Sequence, residues 1–175
     1  VSEPIERADH RPAADVQAPA GDRGGDGAPQ VAASPSLLMR RRIAAPPAMV
    51  YAAWTRPEQL ARWWGPAGAE TTSAELDVRV GGRFFIRFST PDGEQHGVGG
   101  VYREVVPAER LRFDWAWQST PERLSLVTVR LAPDGEGTLL TLIHEQFFDE
   151  QARAGHERGW TVGLDRLAAH LEAAA

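Results

Sequence analysis

The sequence of 175 residues contains no cysteine, no lysine and no asparagine. Without cysteine there is no disulfide framework, no thiolate nucleophile and no thiolate metal site, so the chain must fold on its apolar core alone. All 19 basic residues are arginine, and alanine, glycine and proline are abundant, a skew that reads as coding bias rather than chemistry. No apolar run approaches the roughly 20 residues that a membrane-spanning helix needs, so membrane insertion is not expected. A formal net charge of -5 also argues against a protein whose affinity rests on phosphate contacts, and nucleic acid is not an expected partner.

Aromatic residues are missing from the first part of the chain. Val1 to Ser36 contains five prolines, four glycines and six acids against three arginines, with only Val1, Ile5, Val16 and Val31 as larger apolar side chains. That is too little apolar surface to offset the entropy of ordering, and the segment 1–36 is expected to be a disordered tail. Glu3, Glu6, Asp9 and Asp15 interrupt any apolar stretch of the kind a secretory signal requires, which makes the cytoplasm the expected compartment. All 14 aromatic residues follow Ser36, so 37–175 is the expected folded domain. Of the net charge, -3 falls in the tail and -2 in the domain, which carries 16 arginines against 18 acids.

Within the domain the hydrophobic period changes from segment to segment. Leu37 to Ala44 reads as a strand ended by Pro46-Pro47, and proline at the first helical position suits a helix over Ala48 to Trp54. Thr55-Arg56-Pro57-Glu58 has the spacing of a capping box, which predicts Thr55 as the cap of a second short helix reaching Trp63, stopped by Gly65-Pro66. From Glu75 onward the period is two, and Gly81-Gly82, Pro91-Asp92-Gly93 and Asp134 to Gly137 are hairpin breaks, which predicts an antiparallel sheet. Leu76, Val78 and Val80 alternate with charged residues; Phe84, Ile86 and Phe88 share one face; Leu111, Phe113, Trp115 and Trp117 share another. Asp149 to about Ala173 reads as the one long helix, with an acidic start. His156, Trp160, Leu164, Leu167 and Leu171 fall within about 80° of one another on it. Gly155, Gly159 and Gly163 form a second row on this helix at a cost of about 1 kcal/mol each relative to alanine, which calls for a close contact or open space beside them. Gly97, Gly99 and Gly100 in a strand suggest a bulge.

Ala45-Pro46-Pro47, Pro57-Glu58-Gln59-Leu60, Arg62-Trp63-Trp64-Gly65-Pro66, Val80 to Phe84, Pro107 to Leu111, His144-Glu145 and His156-x-x-Gly159-Trp160-x-x-x-Leu164 occur in that order. Together they resemble the family of homologues of the activator of the heat-shock-protein-90 ATPase, within the SRPBCC superfamily of START-related proteins. The resemblance covers Leu37 to Ala173 and implies an α+β helix-grip fold: a curved antiparallel sheet of six to seven strands around a long C-terminal helix, with two short helices after the first strand. It also implies a cavity that holds an apolar molecule, and relatives that include carriers, aromatase/cyclase-like enzymes and co-chaperones. Arg56 stands where such sequences often carry aspartate.

Strand parity turns His144 inward with Leu140 and Leu142, and the helix stripe turns His156 inward. Each is either a satisfied core histidine or a cavity acid or base, and these two are the only catalytic candidates. A Gly-x-Ser-x-Gly elbow and a His-Glu-x-x-His metal motif are both lacking; no cofactor and no metal site are expected, although His96, His144 and His156 would form one if they converged. The expected ligand-lining residues are Trp64, Phe84, Phe88, Tyr102, Phe113, Trp115, Trp117, His144, His156 and Trp160. Adjacent Trp63 and Trp64 cannot bury both rings in one direction, so one is expected to face the core and the other the cavity mouth or a partner, the best hint of an entrance. Arg41 either snorkels at a solvated strand edge or sits at the cavity rim for an acidic ligand end.

The leading expectation is a protein that binds a small, largely apolar molecule as carrier, sensor or sequestering agent. The alternatives are a cavity enzyme of cyclase, dehydratase or hydrolase type, using histidine acid–base chemistry with Tyr102 or Glu145 assisting, and a co-chaperone. The expected partner is a small apolar molecule; a homodimer and a chaperone contact stay open.

Overall fold

Paired prolines and seven alternating strands set the path of the chain. In the computed structural model, which describes residues 33–174, strand β1 (Leu37–Ile43) runs to Pro46 and Pro47, which start helix α1 (Pro47–Thr55). Helix α2 (Pro57–Leu60) follows, then β2 (Glu70–Leu76), β3 (Arg83–Ser89), β4 (Gln95–Val106), β5 (Arg110–Trp117), β6 (Ser125–Asp134), β7 (Gly137–Glu145) and the long helix α3 (Glu150–Glu172). The strands form one antiparallel sheet in the order β1-β7-β6-β5-β4-β3-β2, so β1 returns to pair with β7. With α3 laid on its apolar face, this is the helix-grip fold.

Helix α3 starts where its sequence says it should. The Asp149 carboxylate accepts the Ala152 N–H at 2.7 Å, satisfying one of the free donors of the first turn. Its stripe of Trp160, Leu164, Leu167 and Leu171 is buried against the sheet and α1, where Ile43, Val50, Leu140 and Leu142 complete the core. Among the described residues no helix is long and apolar enough to cross a membrane.

Three local expectations are corrected. Residues Val78 and Val80 do not continue a strand: β2 is the earlier, small-residue stretch Glu70–Leu76, and the chain turns through Arg79–Gly82, where the Gly82 N–H donates to Arg79 O and Val80 is 63% exposed. Strand β4 bulges not at its glycines but at Arg103, between Tyr102 and Glu104, where the guanidinium grips the buried Asp114 carboxylate at 2.6–3.1 Å. Gly97 and Gly99 instead make room for Phe85, whose ring would stand 2.7 and 2.8 Å from a Cβ at those positions. Thr55 is not a cap but the last residue of α1, its hydroxyl donating to Tyr51 O at 2.8 Å.

The cap of α2 is Arg56 (φ -106°, ψ 122°), held extended by the proline that follows it, and its side chain makes no capping bond. The substitution Arg56→Asp should therefore stabilise the domain by about 1 kcal/mol, because a carboxylate there accepts a first-turn N–H. Urea midpoints of the two proteins check this; an unchanged or lower midpoint contradicts it.

The expected disordered tail lies, for residues 1–32, outside the described residues. Just before β1, Pro35 O accepts the Phe147 N–H at 3.2 Å.

Candidate functional site

Between α3, strands β3 and β5 and the loop after α2 lies a cavity of about 320 Å³. From the sheet side it is walled by Phe88, Trp115 and Trp117, and its roof is Trp64, Gly65 and Pro66. The α3 side is Ala152, Gly155, His156, Gly159, Trp160 and Gly163. Trp115, Trp160 and Trp64 pack ring to ring at 5.1–5.8 Å, in tilted and edge-on arrangements that suit the positive edges and negative faces of indoles.

The adjacent tryptophans divide as their opposite directions require. Trp63 is fully buried, T-packed on Trp54 at 4.7 Å, and its indole N–H donates to Ala53 O at 2.9 Å. Trp64 turns the other way, onto the cavity. Arg166 on α3 fastens this roof, donating from Nη1 to the carbonyls of Trp64, Gly65 and Pro66 at 3.0–3.2 Å. Gly65 takes φ +91°, a left-handed conformation that a side chain would strain.

The α3 glycines have no packing reason. A Cβ on Gly159 would meet nothing within 4 Å; on Gly155 it would meet only the Arg158 guanidinium at 3.9 Å, and on Gly163 only Trp63 at 3.8 Å. Alanine fits sterically at all three positions, yet glycine stands at each. The row is the floor of the cavity.

Two histidines connect the cavity to the core, with ring centroids 4.9 Å apart. His144 is completely buried; its Nδ1 accepts the Trp160 indole N–H at 3.1 Å and its Nε2 lies 2.8 Å from Ser125 Oγ, which itself donates to Trp115 O at 3.2 Å. Since Nδ1 is an acceptor and the Ser125 proton is spent on Trp115, the neutral ring carries its hydrogen on Nε2 and donates it to Ser125. Such a histidine cannot accept the serine proton, so Ser125 and His144 are not a nucleophile and base. Burial, helped by nearby His156, pushes the His144 pKa down to about 2.

His156 has the opposite tautomer. Its Nδ1 donates to Ala152 O at 2.7 Å, leaving the Nε2 lone pair to accept two indole N–H groups, Trp115 at 3.2 Å and Trp117 at 3.0 Å. Burial lowers its pKa too, partly offset by the Ala152 bond, which favours the charged ring.

Of the sequence-predicted lining residues, Trp64, Phe88, Trp115, Trp117, His156 and Trp160 come together around the cavity. His144 stands one layer behind the wall, bonded to Trp160. Phe84, Tyr102 and Phe113 share the apolar face of the sheet but lie farther along it with Trp54 and Leu60, around a residual space of about 20 Å³ that is too small for a ligand. His96 does not join the other histidines: it stacks on Phe88 at 5.3 Å, with Glu94 at 3.7 Å. Among the described residues no group of three or more histidine and carboxylate side chains is placed to hold a metal ion. Arg41 is not at the rim; it pairs with Asp165 of α3 at 2.6 Å. Glu145 lies on the opposite strand face from His144, as its parity requires. The residues not named in advance, Gly65, Pro66, Ala152, Gly155, Gly159 and Gly163, are small; only the glycine row signalled itself, through its helix cost.

The family model described as activator of Hsp90 ATPase homolog 1-like protein matches residues 44–172. A solved structure of a protein from Chromobacterium violaceum is 33% identical, with a TM-score of 0.70, over 77% of this chain and 96% of that one. An AHSA1 protein from Silicibacter pomeroyi is 28% identical with a TM-score of 0.73, over 81% of this chain and all of that one (100%). CalU16 from Micromonospora echinospora is 30% identical with a TM-score of 0.58, over 77% and 74% of the two chains. No curated protein matches the chain.

Proposed function

The chain belongs to the family of activator of Hsp90 ATPase homolog 1-like proteins, with the fold of a ligand-binding domain, and we propose that it binds a small, largely apolar molecule in the cavity between α3 and the sheet. The observation that carries this reading is Gly159. A helix-interior glycine costs about 1 kcal/mol relative to alanine, and here alanine would clash with nothing. Retaining stability-lowering residues at the one place where they keep a cavity open is the pattern of a site kept for function. An aromatic lining with a few placed polar groups, and a volume near the lower end of the usual range of roughly 300–1,000 Å³, fit a single compact ligand.

The acid–base alternative meets two neutral histidines whose lone pairs are already taken by indole N–H groups. A general base needs a free lone pair within reach of the substrate proton. That supports a carrier, sensor or sequestering role over turnover.

The test pairs two variants at one position. Gly159→Ala should raise stability by about 0.5–1 kcal/mol, while Gly159→Phe should fill the cavity and abolish binding of aromatic and fatty probes followed by native mass spectrometry and tryptophan fluorescence. Undiminished binding in Gly159→Phe, or a destabilised Gly159→Ala, would sink the reading.

A further inference from the structure

The hydrogen bonding inside the cavity is unbalanced in one place. His156 Nε2 has a single in-plane lone pair but receives two donors, the indoles of Trp115 and Trp117 at 3.2 and 3.0 Å. The ring cannot relieve this by turning its other nitrogen, because Nδ1 is committed to Ala152 O at 2.7 Å. One indole N–H can therefore leave without stranding anything: the other keeps the lone pair. Trp115 is enclosed, whereas Trp117 is half-buried at the cavity wall, so Trp117 is the donor free to be redirected.

None of the side chains lining the cavity carries a formal charge, the His156 ring being kept neutral by burial and by the two indole N–H groups that its Nε2 accepts. Arg166 is not among the lining residues; its Nη1 is held on the far side of the roof by three carbonyls. A carboxylate inside would lose its hydration, and no cation stands among the lining residues to replace it, the Arg158 guanidinium near Gly155 belonging to a solvent-exposed side chain. A cation would find aromatic faces but also the positive N–H edges of Trp115 and Trp117 turned toward the same space. Resting on the reading of this cavity as a ligand site, we propose that its ligand is a neutral, planar aromatic molecule bearing a hydrogen-bond acceptor, of the aryl ketone class, whose oxygen takes the Trp117 indole N–H while Trp115 keeps His156.

Four probes of one shape separate the terms: 2-acetylnaphthalene, 2-ethylnaphthalene, 2-naphthoate and 2-naphthyltrimethylammonium, titrated against the full chain by calorimetry. The ketone should bind about fivefold tighter than the hydrocarbon, the worth of one net hydrogen bond, and about tenfold or more tighter than either ion. In Trp117→Phe the ketone-to-hydrocarbon ratio should fall to one or below, because the carbonyl then gives up its water without gaining a donor. In the unsubstituted protein, the Trp117 indole 1H–15N resonance, one of six such signals, should shift on adding the ketone and not the hydrocarbon. Equal affinity for ketone and hydrocarbon, a ratio that survives Trp117→Phe, or tighter binding of either ion overturns this inference and leaves the cavity reading standing. Failure of all four probes to bind overturns both.

Discussion

Lowering the pH from 7 to 4 should remove roughly 3 kcal/mol of folding stability through His144 alone. In the unfolded chain this ring takes up a proton near its ordinary 6.5; in the folded domain, buried between Trp160 and Ser125, it resists until about pH 2. The contribution is therefore complete above about 6.5 and declines as pH falls toward 2, by about 1.4 kcal/mol per pH unit once the unfolded ring is charged. His156, lowered in the same direction by burial, adds to the loss. Against a typical total of about 5–15 kcal/mol, this is enough to unfold a weakly stable domain in mild acid. Urea unfolding of the natural protein and of His144→Gln at pH 7, 5.5 and 4 isolates the term, since glutamine can accept from Trp160 and donate to Ser125 without titrating. The natural protein should lose stability more steeply by about one proton, whereas parallel curves would mean that His144 ionises freely in the fold. Carboxylates protonate in both proteins and cancel in the comparison.

Much of this architecture is legible in the residues, and the parts that are not have identifiable causes. The α3 stripe and its Asp149 cap are readable because one long amphipathic period outweighs any competing pattern. Strand β5 is readable because three rings alternate with Arg112, Asp114 and Ala116. Strand β2 is not: its residues Glu70–Leu76 are mostly small and polar, as an edge strand at a bulge permits, while the stronger alternation of Val78 and Val80 lies beyond it, in the irregular stretch and turn before β3. The spacing Thr-x-x-Glu predicts a cap at Thr55 but says nothing of where the break falls. Pro57 decides that by forcing its predecessor, Arg56, out of the helical region.

The site follows the same logic. Parity reports which face of the sheet a ring occupies, and on that count Phe84, Phe88, Phe113, Trp115 and Trp117 are alike. It does not report which helix covers each position along the strand. Phe84 and Phe113 meet Trp54 of α1 and Leu60 of α2, where the space is filled, whereas Phe88, Trp115 and Trp117 face the glycine row of α3, where it is not. A wall made of glycine backbone has no side chain to announce it. Nor does spacing disclose a tautomer: the opposite protonation of His144 and His156 comes from Trp160 and Ala152, partners fixed only by packing.

Trp160 is where stability and site are least separable, and the largest single-residue effect is expected there. It is 5% exposed, packs on Trp54, Trp64 and Trp115 at 5.1–5.9 Å, and supplies the N–H that pins the His144 tautomer. Trp160→Ala should cost about 3–5 kcal/mol, the usual loss for a large buried aromatic. Trp160→Phe keeps most of the apolar contact but leaves His144 Nδ1 as a buried acceptor without a donor, which should cost about 1–3 kcal/mol. The two variants also differ in their acid response. Without the indole, the neutral form of His144 loses the bond that favours it, its folded pKa rises, and the stability of Trp160→Phe should fall less steeply below pH 6.5 than that of the natural protein. Denaturant midpoints at pH 7 and 4 read both effects. A near-neutral Trp160→Ala would mean that the α3 stripe does not carry the core, and an unchanged acid slope in Trp160→Phe would mean that burial alone, not the Trp160–His144 bond, keeps the histidine uncharged.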